Sequence, residues 1–185
     1  DSPVALSTDI MQLLTNGNSY TPISIGSNFP NLTGNSFLIG NIEYKINGNI
    51  RQLPAQPTPK HQIAETAHTY LNSPYLWGGR SPFGIDCSGF TQIVYKLNGV
   101  KLKRDAWQQA EEGQTLSFID EAEPGDLAFF ENEEKKITHV GIILGDGKII
   151  HASGKVRIDT LDYHGIYNTE QKRYTHKLRV IKRYY

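Results

Sequence analysis

The sequence predicts an α+β domain behind a small β module, and three observations carry that prediction. Residues 1–52 hold short apolar pieces separated by Asn, Gly, Ser and Thr. Residues 53–60 contain Pro54, Pro57 and Pro59 and almost nothing that packs. Beyond them apolar residues recur first at helical spacing and then in strand-length runs, the order of an α+β domain. A chain of 185 residues has room for a small module and a medium domain.

Each element has a local cause. In residues 1–52 the pieces Met11 to Leu14, Phe37 to Ile39 and Ile42 to Ile46 are strand-length and bounded by turn residues. The module is short for an independent barrel and reads as incomplete. Residues 53–60 form an extended, semi-rigid linker, and 61–185 form the main domain. There, Ile63, Ala64, Ala67, Tyr70 and Leu71 make a helical stripe that Pro74 is expected to end. A glycine-rich loop, Pro74-Tyr75-Leu76-Trp77-Gly78-Gly79-Arg80, follows. Phe90, Ile93, Val94 and Leu97, at i, i+3, i+4 and i+7, predict a second helix that Asn98-Gly99 closes. A short helix is expected over 105–112. Strands are expected over 127–130, 138–144, 148–152 and 178–184.

Bulk properties narrow the function. Lys and Arg number 19 and Asp and Glu number 19, so no electrostatic case exists for nucleic acid or an anionic membrane surface. No apolar run reaches membrane-spanning length, and no secretory leader is visible. One cysteine excludes an internal disulfide and a multi-thiolate zinc site. Composition leaves compartment and oligomeric state open.

That cysteine, Cys87, stands in Asp86-Cys87-Ser88-Gly89-Phe90 at the first turn of the second helix. Unpaired N–H groups and the helix dipole favour a thiolate there, which makes Cys87 a candidate nucleophile. A cysteine nucleophile needs a base and a group that orients the base. Of six histidines, His61, His68, His164 and His176 read as surface or partly buried residues. His139 and His151 instead lie inside strands flanking the hairpin signal Gly145-Asp146-Gly147. A two-residue Asp146-Gly147 turn alone would put the two rings on opposite faces. A three-residue loop pairing Leu144 with Lys148, or an equivalent bulge, pairs Gly141 with His151. His139 then becomes a same-face diagonal neighbour roughly 7–8 Å away. The odd-length loop or bulge is the expectation.

The runs Pro74-Tyr75-Leu76-Trp77-Gly78-Gly79, Asp86-Cys87-Ser88-Gly89-Phe90, Pro124-Gly125-Asp126-Leu127, His139-Val140-Gly141-Ile142 and Ile150-His151-Ala152 together resemble the NlpC-type cell-wall cysteine peptidases, over residue 60 to the end. The resemblance implies a papain-like fold, a cysteine helix packed on a small antiparallel sheet. It implies hydrolysis of the bond between γ-D-glutamate and meso-diaminopimelate or lysine in peptidoglycan stem peptides, with no cofactor or metal. It makes Cys87 the nucleophile, His139 its general base and His151 the group holding His139. Tyr75 becomes an oxyanion donor, with packing as its alternative. Asp86 and Ser88 become substrate-binding residues, reading a free L-alanine amine, with helix capping as the alternative for Asp86. Trp77 walls a substrate pocket or is a core tryptophan. Arg104 pairs a substrate carboxylate or is a solvated surface arginine, the latter being the favoured reading, and Ala106 stands where the family often has Ser or Thr. Residues 1–52 resemble the latter part of a bacterial SH3-like module. The partners implied are stem peptides or muropeptides. The location implied is periplasmic or secreted, with cytoplasmic recycling as the alternative. Competing functions are acyl transfer or amidase chemistry with the same residues, and a non-catalytic wall-binding protein.

Overall fold

A computed structural model describes residues 5–53 and 56–184, so Pro54 and Ala55 of the proline-rich stretch lie outside the described residues. The chain divides into two compact units, Asp1–Gln56 and Pro57–Tyr185. β structure dominates and the helices are few.

The first unit contains β1 (Ala5–Ser7), β2 (Met11–Asn16), β3 (Ser19–Ser24), β4 (Asn28–Phe29), β5 (Ser36–Ile39), β6 (Ile42–Asn47) and β7 (Ile50–Gln52). They form an antiparallel sheet ordered β4-β1-β7 and another ordered β3-β2-β6-β5. Ala5, Leu14, Phe29, Phe37 and Ile46 make the core between turns of Asn and Gly.

The second unit opens with α1 (Lys60–His68), which buries Ile63 and Ala67. This helix stops well before Pro74. Asn72 takes a φ of 68°, a left-handed conformation that Asn tolerates and that turns the chain. The loop after it carries the short hairpin β8 (Arg80–Ser81) and β9 (Gly84–Ile85). Next come α2 (Cys87–Leu97), which buries Phe90, Ile93, Val94 and Leu97, and α3 (Ala106–Ala110). Seven strands follow: β10 (Gln114–Leu116), β11 (Leu127–Glu131), β12 (Ile137–Gly145), β13 (Lys148–Ser153), β14 (Lys155–Asp162), β15 (Gly165–Asn168) and β16 (Arg173–Arg183). Their order is β10-β16-β11-β12-β13-β14-β15, and β16 pairs with β15 as well. The sheet therefore curls until β15 meets β16, and α2 packs on β12 and β13.

The β12–β13 register decides where the two histidines point. Gly145 pairs with Lys148 across a two-residue Asp146-Gly147 turn, not Leu144 with Lys148 as a three-residue loop requires. Asp146 and Gly147 have φ of 49° and 63°, the two positive values of a type I′ turn. A bulge between Ile143 and Gly145 restores the parity, and Gly141 pairs with His151. The bulge, rather than the longer loop, puts both imidazoles on one face.

Candidate active site

Asp86 starts the Cys87 helix. Its backbone is extended (φ −92°, ψ 174°) and its Oδ1 accepts the Gly89 N–H at 2.6 Å. The Phe90 N–H bonds the Asp86 carbonyl, so the amides of Cys87 and Ser88 are the helix-start donors left beside the sulfur. The thiol lies 4.0 Å from the Thr138 carbonyl, and the Val140 N–H also reaches it. The sulfur thus sits against the backbone on both sides of His139.

Burial overrides the helix start in setting the resting state of Cys87. Desolvation, with a further contribution from the Asp86 charge, pushes the thiol up to about 11, against the backbone N–H groups that pull it down. This corrects the expectation of a standing thiolate. His139 moves the other way, held well below the ordinary imidazole value by burial and by His176 and His151. Both displacements favour a neutral thiol and a neutral imidazole at rest.

A hydrogen-bonded chain runs back from His139. Its Nε2 lies 2.8 Å from His151 Nδ1, and His151 Nε2 lies 3.0 Å from Asp159 Oδ2. Asp159 also accepts Arg157 Nε at 2.7 Å and Arg157 Nη2 at 3.0 Å. Burial alone would raise the Asp159 carboxyl, but His151 and Arg157 hold it below the usual range and keep it ionised. A carboxylate only accepts, so His151 carries its proton on Nε2. Its Nδ1 then accepts from His139 Nε2–H, which leaves the lone pair of His139 on Nδ1. His139, His151 and Asp159 are 6%, 1% and 3% exposed, so water does not compete for these bonds.

Asp86 caps the helix and does more. Its carboxylate also accepts Gly78 N at 2.9 Å, Arg104 Nη2 at 2.5 Å and Arg104 Nη1 at 3.1 Å. Burial alone would raise the Asp86 carboxyl, but Arg104 and the Gly89 and Gly78 amides hold it down. Ser88 Oγ bonds both Asp86 and Arg104. Arg104 is therefore tied into the site, not solvated as its sequence position suggested. Gln109 Nε2 donates to the Ser88 and Lys103 carbonyls and fastens α3 to the start of α2.

These residues border a cleft of about 630 Å³ that Cys87, Asp86, Ser88, Trp77, Arg104 and Trp107 line. Trp77 is 84% exposed, which overturns its reading as a core residue. Ala106 stands on the cleft wall and offers no hydroxyl. Tyr75 is half-buried and within electrostatic reach of Cys87. Burial, with the Cys87 and Asp86 charges, raises its phenol, so it stays protonated and able to donate. The structure thus gathers Cys87, Asp86, Ser88 and Trp77 around the cleft, keeps Tyr75 within electrostatic reach of the thiol, and links His139 to His151. Sequence reasoning missed Asp159, Arg157, Gln109 and His176. The alternation in Val156-Arg157-Ile158-Asp159 was the one signal available for the first two.

Residues 72–179 match the NlpC/P60 family. The chain belongs to this family. Among its curated relatives, a gamma-D-glutamyl-L-lysine dipeptidyl-peptidase of Bacillus subtilis is 43% identical over 110 residues, covering 56% of this chain and 37% of that protein. A dipeptidyl-peptidase 6 of Lysinibacillus sphaericus is 38% identical over 117 residues, covering 60% of this chain and 40% of that protein. A crystal structure of an NlpC/P60 family protein from Bacillus cereus superposes with a TM-score of 0.81 at 26% identity, over 98% of this chain and 63% of that one. The chain thus spans well under half the length of these two curated relatives. The family's matched segment contains the cleft and the chain from His139 to Asp159. Among the described residues, no helix is long and apolar enough to cross a membrane.

Proposed function

We propose that the second unit is a papain-like cysteine peptidase that cleaves the γ-D-glutamyl to diamino acid bond of peptidoglycan stem peptides. The observation that carries this reading is the buried chain from Asp159 through His151 to His139, with Cys87 set against the backbone on both sides of His139. The names of the curated relatives support the bond, and lysine or meso-diaminopimelate would follow the glutamate. The first unit is read as a bacterial SH3-like module, and an extracytoplasmic wall as the place of action.

The chemistry follows from the resting neutral pair. As Cys87 Sγ attacks the γ-carbonyl carbon, its proton passes to His139 Nδ1 and the carbonyl electrons move onto oxygen. The helix-start amides and the Tyr75 hydroxyl donate to that oxyanion. Collapse expels the diamino acid amine, which takes the proton from His139, and leaves a thioester on Cys87. Water then attacks the thioester with His139 as base, releasing the glutamyl carboxylate and restoring the thiol. His151 and Asp159 stabilise the imidazolium formed in each step.

Trp77 is assigned to the cleft wall, and Asp86 with Ser88 to the recognition of a free L-alanine amine. Asp86 already accepts from Arg104, so the amine would share its carboxylate with the guanidinium. Digestion of L-Ala-γ-D-Glu-L-Lys and its meso-diaminopimelate counterpart, each with and without an N-acyl block, tests the proposal. Release of the diamino acid, abolished by Cys87→Ala, is the expected result. No cleavage of either peptide would overturn the bond assignment, and equal cleavage of the blocked peptides would overturn amine recognition.

A further inference from the structure

His176 lies on β16, far from the other site residues in sequence, and the curl that pairs β16 with β15 brings it over the active site. Its ring lies face to face with that of His139, centroids 4.0 Å apart and planes 26° apart. It also meets the ring of His151 edge-on at 5.5 Å and that of Phe130 at 5.9 Å. Nδ1 of His176 is 2.9 Å from Thr175 Oγ1, a bond that fixes the ring about its own axis. Behind it opens a cavity of about 830 Å³, bordered by His176, Glu131, Tyr174 and Lys177 and not by His139.

We propose that His176 is a positioning residue for His139, a stacked wall that fixes the plane of the base and separates it from the solvent-filled cavity behind. The inference rests on His139 being the base, as proposed above. Three ring nitrogens within 4.8 Å of one another also have the spacing of a cation site. The stack speaks against that use. Imidazole lone pairs lie in the ring plane, and two planes only 26° apart at 4.0 Å meet far beyond a metal–nitrogen bond of ~2 Å.

The electrostatics follow from the wall. His151 on β13 and His176 on β16 face the ring of His139. Asp159 and Arg157 on β14 stand behind His151, and Cys87 at the start of α2 lies against the backbone flanking His139. Glu131 and Lys177, paired with each other, border the cavity. A base that accepts a proton only during reaction has to remain neutral at rest. Burial behind His176 does this for His139, and a charged neighbour at stacking distance would oppose the transient imidazolium. His176 itself is brought down to about 4, first by burial and then by His151, so it is neutral wherever the enzyme is expected to work.

The test compares His176→Ala and His176→Phe in the full chain. Phe keeps a flat ring in the stack and the cavity closed, whereas Ala opens the back of His139 to water. Two readouts are taken: the pH profile of kcat/KM, and the ring ¹H–¹⁵N NMR titration of His139 in a Cys87→Ala background. Opening the wall should lower kcat about tenfold or more and raise both the acid limb and the NMR midpoint by about one unit toward the ordinary imidazole value. His176→Phe should stay within about threefold of the parent, with both midpoints moved by less than about half a unit. An unchanged His139 midpoint in His176→Ala would overturn the proposal. So would a His176→Phe chain as impaired as His176→Ala with His139 titrating as in the parent. The NMR titration does not need turnover, so it judges the hold of His176 on His139 separately. Activity surviving in His139→Ala would instead remove the base assignment beneath it.

Discussion

Asp159 is the residue whose replacement most sharply probes the logic of the site. Asp159→Asn keeps the size of the side chain and removes the charge. In the parent, the carboxylate accepts His151 Nε2 at 3.0 Å and two Arg157 nitrogens at 2.7 and 3.0 Å. An amide satisfies only part of this set. With its oxygen toward His151, its NH₂ confronts an Arg157 donor. With its NH₂ toward His151, the imidazole has to accept at Nε2 and move its proton to Nδ1. His139 would then keep its own proton on the nitrogen that faces away from His151, and the base would lose its lone pair. A charge-assisted hydrogen bond holding the productive tautomer is worth about 1.5–3 kcal/mol. At ~1.36 kcal/mol per tenfold, its loss lowers kcat by roughly 10- to 150-fold. Asp159 is buried away from the cleft lining, so KM should change by less than about threefold. Steady-state kinetics on a γ-D-glutamyl stem peptide measure both, with circular dichroism and a melting curve to establish that the variant is folded. A folded Asp159→Asn chain with kcat within twofold of the parent would refute the tautomer argument.

Other predictions follow from neighbouring observations. His139, His151 and His176 are all held below 6.5, chiefly by burial, so the unfolded chain binds protons that the folded chain refuses. Stability should therefore be highest above 6.5 and fall with pH below it, by as much as ~1.4 kcal/mol per unit for each ring, in urea titrations from pH 7 to 5; a pH-independent midpoint would contradict this. The acid limb of kcat/KM should lie below 6.5, and a limb at or above 6.5 would deny a buried neutral base. A Cβ at Gly141 would come within 2.9 Å of His151 Cβ and 2.8 Å of Ile149 Cδ1. Gly141→Ala should thus cost about 1–3 kcal/mol by denaturant titration and lower kcat more than an equally destabilising change elsewhere in the core. Trp77→Ala should raise KM while leaving stability within about 0.5 kcal/mol, because the side chain is exposed; a large loss of stability would return it to the core.

Much of this site is legible along the chain, and what is not has physical reasons. Cys87 announces itself because a helix stripe and a cap residue are local patterns, and Asp86 does cap the helix. The facing of His139 and His151 is a matter of parity, so a hairpin signal narrows it to two registers, and a bulge chooses between them. The ionisation of Cys87 is not local. A helix start favours the thiolate, but burial of the sulfur once the chain packs around it, against β12 among others, outweighs it. Asp159, Arg157 and His176 belong to strands whose polar alternation resembles a solvated face until the sheet curls closed. The burial of Asp159 and the partial burial of Arg157 and His176 are properties of that closure and not of their neighbours in sequence.

The central claim is that Cys87 attacks the γ-glutamyl carbonyl and holds the acyl group. Rapid acid quench of a single turnover on L-Ala-γ-D-Glu-L-Lys, followed by intact-protein and peptide mass spectrometry, tests it most directly. An L-Ala-D-Glu acyl group on the peptide containing Cys87, appearing and decaying as lysine is released, is the predicted result. Lysine released at full rate with Cys87 unmodified at every quench time, or from the Cys87→Ala chain, would contradict it.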